Sequence, residues 1–222
     1  MSITIHQFNS SDEKSWDEFV ISSNNGTLFH TRKFLNYHPS DRFLDHSLIF
    51  KQKGHIISVL PAVIQKKGGD QVLISHPGAS VGSFVVPERL SFSRSIQIVK
   101  KLSAYAKLNK LNKLCLTQPP IIYQRHISQY MDFAFKNEGY SFVYRELSSY
   151  LQLENTIENN LEKFKSTHRT ALRKAEKLGV DIRISEDFAT FYSILQNNLV
   201  TRHNVNPTHT LLELQKLKEI FS

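Results

Sequence analysis

The most constraining feature of the sequence is a basic segment, Lys163 to Val180, that joins helical periodicity to a strong helix stop. Its cations recur every four residues and share one helix face: Lys165, Arg169, Arg173 and Lys177. Its apolar residues fall largely on another side, where a core could cover them: Leu161, Phe164, Leu172, Ala175 and Leu178. Gly179 can adopt the left-handed backbone conformation that ends many helices. From Val180 to Ile184, apolar and polar residues alternate as they do in a strand. The segment therefore predicts a helix that leads directly into a strand.

The cationic stripe has two interpretations. Like charges at this spacing repel each other, and only Glu162 and Glu176 are near enough to offset them. A charged helix face is usually a solvated face. The small number of acidic neighbours favours the second interpretation, a surface that holds an anion.

Composition limits the kind of protein. With 222 residues, of which 40% are hydrophobic and 22% charged, the chain can form one large globular domain or two small ones. It contains no apolar run long enough to cross a membrane, and its first residues lack the pattern of a signal peptide. The single cysteine, Cys115, lies in an apolar run and is predicted to be a small core residue in a reducing cytoplasm. The net charge of +8 favours polyanionic partners, namely nucleic acid, a nucleotide-activated substrate, coenzyme A or an anionic membrane surface.

The order of predicted elements indicates an α+β fold. Up to residue 153 the patterns predict a mainly antiparallel sheet with flanking helices. The predicted strands are Ser2–Phe8, Phe43–Lys51, His55–Gln65, Gln71–Ser75 and Lys113–Thr117, with one or two more in Tyr140–Leu153. The predicted helices are Glu13–Ser22, Arg32–Tyr37, Leu90–Asn109 and His126–Asn137. The small-residue loop His76–Ser83 is either an ordinary turn or a place where backbone approaches a ligand closely.

A second unit is predicted from residue 154 to residue 222, with helices around one strand, Val180–Ser185. Further helices are predicted over Asp187–Arg202 and Thr210–Phe221. Such a unit has no sheet on which to bury its apolar faces. We therefore expect it to be the first part of a longer, C-terminally truncated unit.

The residues resemble a known family. Arg169 to Val180, with Lys165 before it, resembles the FemAB-like branch of the GNAT acyltransferase superfamily. Gly26–Leu35 is similar to the stretch that follows the first helix in those proteins, and Thr201–Leu211 resembles a helix-loop-helix of their second unit. The resemblance covers nearly the whole chain and implies two GNAT-like domains, 1–153 and 154–222, the second incomplete.

The resemblance implies a bacterial N-acyltransferase in cell-envelope biogenesis. Its members transfer an acyl or aminoacyl group to an amine of a cell-wall precursor or surface-polysaccharide sugar. The donor would be acyl-CoA or aminoacyl-tRNA, and the acceptor an anionic, nucleotide- or lipid-linked sugar. Both donors are polyanions, which suits the basic stripe. The pyrophosphate loop of the superfamily has no clear counterpart in this sequence, so the chain alone is expected to have an incomplete donor site and to be inactive.

Further candidate residues lie outside the stripe. Arg32 and Lys33 open a short helix, where they are either surface cations or ligands of an acceptor phosphate. Arg202 either binds substrate or meets the dipole at a helix C-terminus, and His203 is a candidate base for the acceptor amine. The histidines and the cysteine lack metal-ligand spacing, so no metal is predicted.

Two other functions stay open. A nucleic-acid-binding module could use the same stripe, although no aromatic residues are interleaved with its cations to stack on bases. A catalytically inactive interaction protein could dock a partner through exposed apolar helix faces.

Overall fold

The computed structural model describes residues 2–39 and 41–221. The chain divides into two compact units, Met1–Arg145 (unit 1) and Glu146–Ser222 (unit 2), whereas the sequence placed the boundary after residue 153. Within the described residues, all strands and all buried side chains belong to unit 1.

Unit 1 contains two three-stranded sheets. In the first sheet β1 (Thr4–Gln7) and β3 (His55–Leu60) both pair antiparallel with β2 (Leu48–Gln52). In the second sheet β5 (Asp70–Ser75) pairs antiparallel with β4 (Ala62–Lys67) and parallel with β6 (Lys113–Cys115). Only Pro61 separates β3 from β4. Since proline has no N–H to donate to a ladder, the predicted strand His55–Gln65 is divided at this residue.

The described residues of unit 1 also form four α-helices: α1 (Glu13–Ser22), α2 (Arg32–Leu35), α3 (Phe92–Leu108) and α4 (Tyr130–Asn137). Helix α1 buries Trp16 and Val20 with Ile49, Val59 and Val85. Helix α3 buries one apolar side in the larger core, together with Phe84 and with Phe135 of α4. The α+β class, with mainly antiparallel sheets and flanking helices, is therefore confirmed.

The described part of unit 2 forms four helices: α5 (Ile157–Glu162), α6 (Ser166–Lys177), α7 (Phe188–His203) and α8 (Leu211–Phe221). Gly179 follows α6 with a φ of 71°, as the predicted helix stop requires. The apolar side of α6 is only partly covered in the described structure, since Phe164, Leu172 and Leu178 are 36%, 37% and 72% exposed.

Three local predictions from the sequence are wrong. Val180–Ser185 and Tyr140–Leu153 are not strands: a strand needs a neighbour for its N–H and C=O groups, and neither segment is paired with another described segment. Cys115 is exposed rather than buried, because it ends β6, whose sheet continues only on the β5 side. Among the described helices, none is both long enough and apolar enough to cross a bilayer.

Candidate functional site

Unit 1 contains a cavity of about 760 Å³ (the unit-1 cavity). Three chain segments form its walls: Asn24 and Asn25 after α1, residues 83–92 leading into α3, and residues 118–135 leading into α4. These segments are far apart in sequence, so the cavity exists only in the folded unit.

Two adjacent buried amides hold the walls together. Asn25 donates from Nδ2 to the carbonyl of Phe84 (2.8 Å) and accepts at Oδ1 from the N–H of Val86 (2.9 Å). Asn24 donates from Nδ2 to the carbonyl of His126 (2.9 Å) and accepts from the N–H of the same residue (2.8 Å). Each amide therefore pairs with the backbone of one wall as a neighbouring strand would.

The loop His76–Ser83 is held against the cavity by a buried histidine. His30 accepts at Nδ1 from the N–H of Thr27 (3.1 Å), so the proton of its neutral ring is on Nε2, which donates to the carbonyl of Gly82 (2.9 Å). Burial lowers the pKa of His30 against the opposing effect of these two backbone bonds, which keeps the ring neutral. A Cβ at Gly82 would approach Ser75 Cβ to 2.8 Å, so the loop needs glycine there. The next residue, Ser83, lines the cavity with a φ of 70°.

One side of the cavity is aromatic. Phe92 lies against Tyr130 with ring centroids 5.7 Å apart and against Phe133 with centroids 5.1 Å apart. The three residues are between 44% and 52% exposed, although they pack on one another. They present a continuous apolar surface to the cavity.

The charged groups of the cavity are acidic. Glu88 Oε1 lies 2.5 Å from His126 Nε2, and Asp132 lies in the first turn of α4. Neither lysine nor arginine is among the described residues that line the cavity. The cavity of this basic protein thus has anionic side chains, amides and aromatic rings.

The residues of the predicted basic stripe lie in unit 2, on and beside α6. Lys165 precedes the helix as its N-cap, and Arg173 and Lys177 are exposed on it. Within the described chain these three cations form no ion pair with an acidic side chain. Arg169 differs, because its guanidinium donates to the carbonyl of Phe164 (2.6 Å) and so stabilises the turn between α5 and α6.

The remaining predicted residues lie in three different settings. Arg32 is buried, donates to Ser47 Oγ (3.1 Å) and to Asp45 Oδ2 (2.5 Å), and lies 3.8 Å from the centre of the Phe8 ring. The interpretation of Arg32 as a surface cation is therefore wrong, and its side chain, 5% exposed and paired with Asp45, is not open to the acceptor phosphate of the other interpretation. Lys33 is exposed on the same helix. Arg202 and His203 are exposed in the last turn of α7 in unit 2.

The cavity was not predicted from the sequence. Asn24 and Asn25 precede Gly26, a pattern typical of an ordinary turn, and the predicted helix His126–Asn137 in fact begins at Tyr130. The only sequence signal was the pair of adjacent asparagines, each able to imitate a peptide group. Their partners lie up to 102 residues away and could not be read from spacing. Within residues 2–39 and 41–221, no group of three or more histidine, cysteine or acidic side chains could hold a metal ion.

The resemblance of this chain to known proteins lies in its fold. No protein-family model matches the sequence, and no match is found among curated proteins. The chain superposes on the crystal structure of FemX with a TM-score of 0.63 and 16% identity, over 98% of this chain and 54% of FemX. Over nearly the whole chain, the fold is therefore similar to that of part of FemX. This chain thus spans about half the length of FemX.

Two acetyltransferase structures match smaller parts of the chain. A GNAT family acetyltransferase from Staphylococcus aureus matches with a TM-score of 0.43 and 13% identity, over 68% of this chain and all of that protein. An aminoglycoside N-acetyltransferase solved in complex with CoA matches with a TM-score of 0.44 and 14% identity, over 68% of this chain and 95% of that protein. Of these three superpositions, that on FemX includes nearly the whole chain.

Proposed function

We propose that this chain forms part of a FemAB-like N-acyltransferase. The reaction would transfer an acyl or aminoacyl group to an amine of a cell-wall precursor or surface-polysaccharide sugar. The observation that supports this proposal is the GNAT-like fold over 98% of the chain, in the arrangement shared with FemX. The chain spans 54% of FemX.

The proposed donor site is the exposed cationic face of unit 2. Lys165, Arg173 and Lys177 have no acidic partner in the described chain, so they are available to the phosphates of acyl-CoA or aminoacyl-tRNA. We assign a secondary role to Arg169, whose guanidinium already caps a turn. Arg202 would add a further cation in the same unit, and Lys33 a cation in unit 1 for an acceptor phosphate.

The proposed reaction requires the protein mainly to position the amine and the donor and to accept a proton. The ammonium group of the acceptor would lose a proton, and the resulting amine would attack the activated carbonyl of the donor to give a tetrahedral oxyanion that hydrogen-bond donors stabilise. The oxyanion would then collapse to the amide and expel the thiolate of CoA or the ribose oxygen of tRNA, while the amide nitrogen releases a proton and the leaving group takes one up. His203 is the proposed base in unit 2, since histidine can accept a proton near neutral pH. It is exposed and stands at the end of α7, next to Arg202.

Calorimetric titration with acetyl-CoA and with charged tRNA tests the donor site. We expect one of the two to bind, and the double variant Arg173→Gln/Lys177→Gln to weaken that binding roughly tenfold or more, because two charged contacts are lost. The control is Lys101→Gln/Lys107→Gln, which removes two exposed cations from α3 in unit 1. Equal losses in both double variants would show that only net charge matters, and no binding of either donor would contradict the proposal.

A nucleic-acid-binding module is the second candidate, favoured by the same exposed cations. Its test is the salt dependence of binding to RNA of arbitrary sequence. A steep dependence, with affinity equal to that for charged tRNA and no binding of acetyl-CoA, would support this candidate over acyl transfer.

A further inference from the structure

We infer that the unit-1 cavity binds a cationic amine carried on an apolar or ring-shaped body. This inference rests on the proposed function only where it identifies the amine as the acceptor of the acyl group. The preference for a cation follows from the cavity lining alone.

The charge of the cavity is opposite to that of the chain. The protein has a net charge of +8, yet the described ionisable residues that line the cavity are two carboxylates, Glu88 and Asp132, with His126 and Tyr130. A phosphate group would meet two carboxylates there and, among the described lining residues, no lysine or arginine. An ammonium group would be attracted instead, more strongly than in bulk water because the protein walls exclude part of the solvent.

The acidic group that would meet the ammonium is held in place by the fold. Glu88 follows the segment that Asn25 fixes at Val86, and His126 is fixed through its own backbone by Asn24. The Glu88 and His126 side chains are 42% and 64% exposed, so a ligand can reach them. The contact with His126 uses Oε1, and in the described chain no hydrogen bond reaches Oε2 of Glu88. This second oxygen is therefore placed to accept a hydrogen bond from an ammonium group.

The aromatic side of the cavity indicates the rest of the ligand. Phe92, Tyr130 and Phe133 pack on one another, but about half of each remains exposed. An apolar chain or a ring laid on them would remove this area from water, and a nearby ammonium would gain from the faces of the rings. The volume of about 760 Å³ is in the range of small-molecule sites.

Three probes of similar shape and different charge test the inference: 2-phenylethylamine, 2-phenylethanol and 3-phenylpropanoate. Binding is measured by ligand-observed NMR at low ionic strength and neutral pH, with no acyl donor present. We expect the amine to bind most tightly, the alcohol less tightly and the carboxylate least. Glu88→Gln should weaken binding of the amine by roughly tenfold and leave binding of the alcohol unchanged. Glu18→Gln removes an exposed carboxylate of unit 1 outside the cavity and should change neither.

Retained binding of the alcohol shows that Glu88→Gln has kept the cavity intact. Equal affinity for all three probes, tighter binding of the carboxylate, or no binding of the amine up to its solubility limit would each overturn the inference. Because no donor is used, the two proposals fail separately. A chain that binds the amine but neither acetyl-CoA nor charged tRNA would retain the cavity assignment and lose the acyl-transfer proposal.

Discussion

Arg32 and Lys33 show, at the residue scale, how burial decides what a cation can do. The two are neighbours in α2, and both were candidates for binding phosphate. Arg32 points into unit 1, where Asp45, Ser47 and the Phe8 ring surround its guanidinium. Burial alone would raise the pKa of Asp45, but Arg32 and Ser47 hold it below its ordinary value. A buried pair of this kind fixes the fold, because removing either partner leaves an uncompensated charge.

The buried histidines of unit 1 should lower its free energy of unfolding in mild acid. Burial, and next the nearby His38, lower the pKa of His76 from 6.5 to about 4, and burial also lowers the pKa of His30. Between about pH 6.5 and pH 4 the unfolded chain therefore binds more protons than the folded chain. Stability should be full above about pH 6.5 and should fall as the pH drops towards 4, by about 3 kcal/mol for His76 alone.

Urea unfolding at pH 7.5, 6.0 and 5.0, followed by the fluorescence of the single tryptophan, tests this dependence. Trp16 is fully buried in unit 1 and so reports on the unit that contains His76. His76→Gln should lose distinctly less stability between pH 7.5 and 5.0 than the wild type does. His55→Gln, at an exposed site in β3, should behave like the wild type. Parallel curves for all three proteins would contradict the assignment to His76.

At the element scale, the walls of the cavity depend on side chains that act as backbone. Asn25→Ala would leave the carbonyl of Phe84 and the N–H of Val86 without their partner inside the protein. We expect a loss of about 2–4 kcal/mol in the free energy of unfolding. Asn137→Ala, at the exposed end of α4, should change it by less than about 0.5 kcal/mol. The measurement is urea unfolding at neutral pH, and equal effects of the two substitutions would show that Asn25 does not join the walls.

The elements differ in how well the sequence predicted them. Helix α1 was predicted with the bounds that it has, because Ser11 and Asp12 precede a clear amphipathic pattern and Asn24–Gly26 ends it. Local signals of this kind suffice for helices, including the stop at Gly179. The segment Val180–Ser185 has the alternation of a strand, but strand formation depends on a second segment alongside. The cavity was missed for the same reason, since its walls meet only through contacts such as Asn24 with His126.

At the scale of the whole molecule, the two units differ in what stabilises them. Unit 1 buries two apolar clusters beneath its sheets. In unit 2 no described side chain is buried, and residues such as Ile182, Ile184 and Leu147 are more than 90% exposed. Burial of apolar surface is the main favourable contribution to folding, so unit 2 receives little of it from the described chain.

This difference predicts unequal protection from hydrogen exchange in the isolated chain. Amides of α3, which packs into the larger core, should exchange only through global unfolding of unit 1. Amides of α6 and α7 should exchange orders of magnitude faster, because opening these helices exposes little additional apolar surface. Exchange followed by mass spectrometry on peptic fragments measures both units in one sample, with α4 as a second reference in unit 1. If α6 and α7 were protected as strongly as α3, their stability would have to come from contacts outside the described chain, such as a second copy covering the apolar side of α6. Repeating the measurement over a range of protein concentrations would detect that contribution, since protection from self-association rises with concentration.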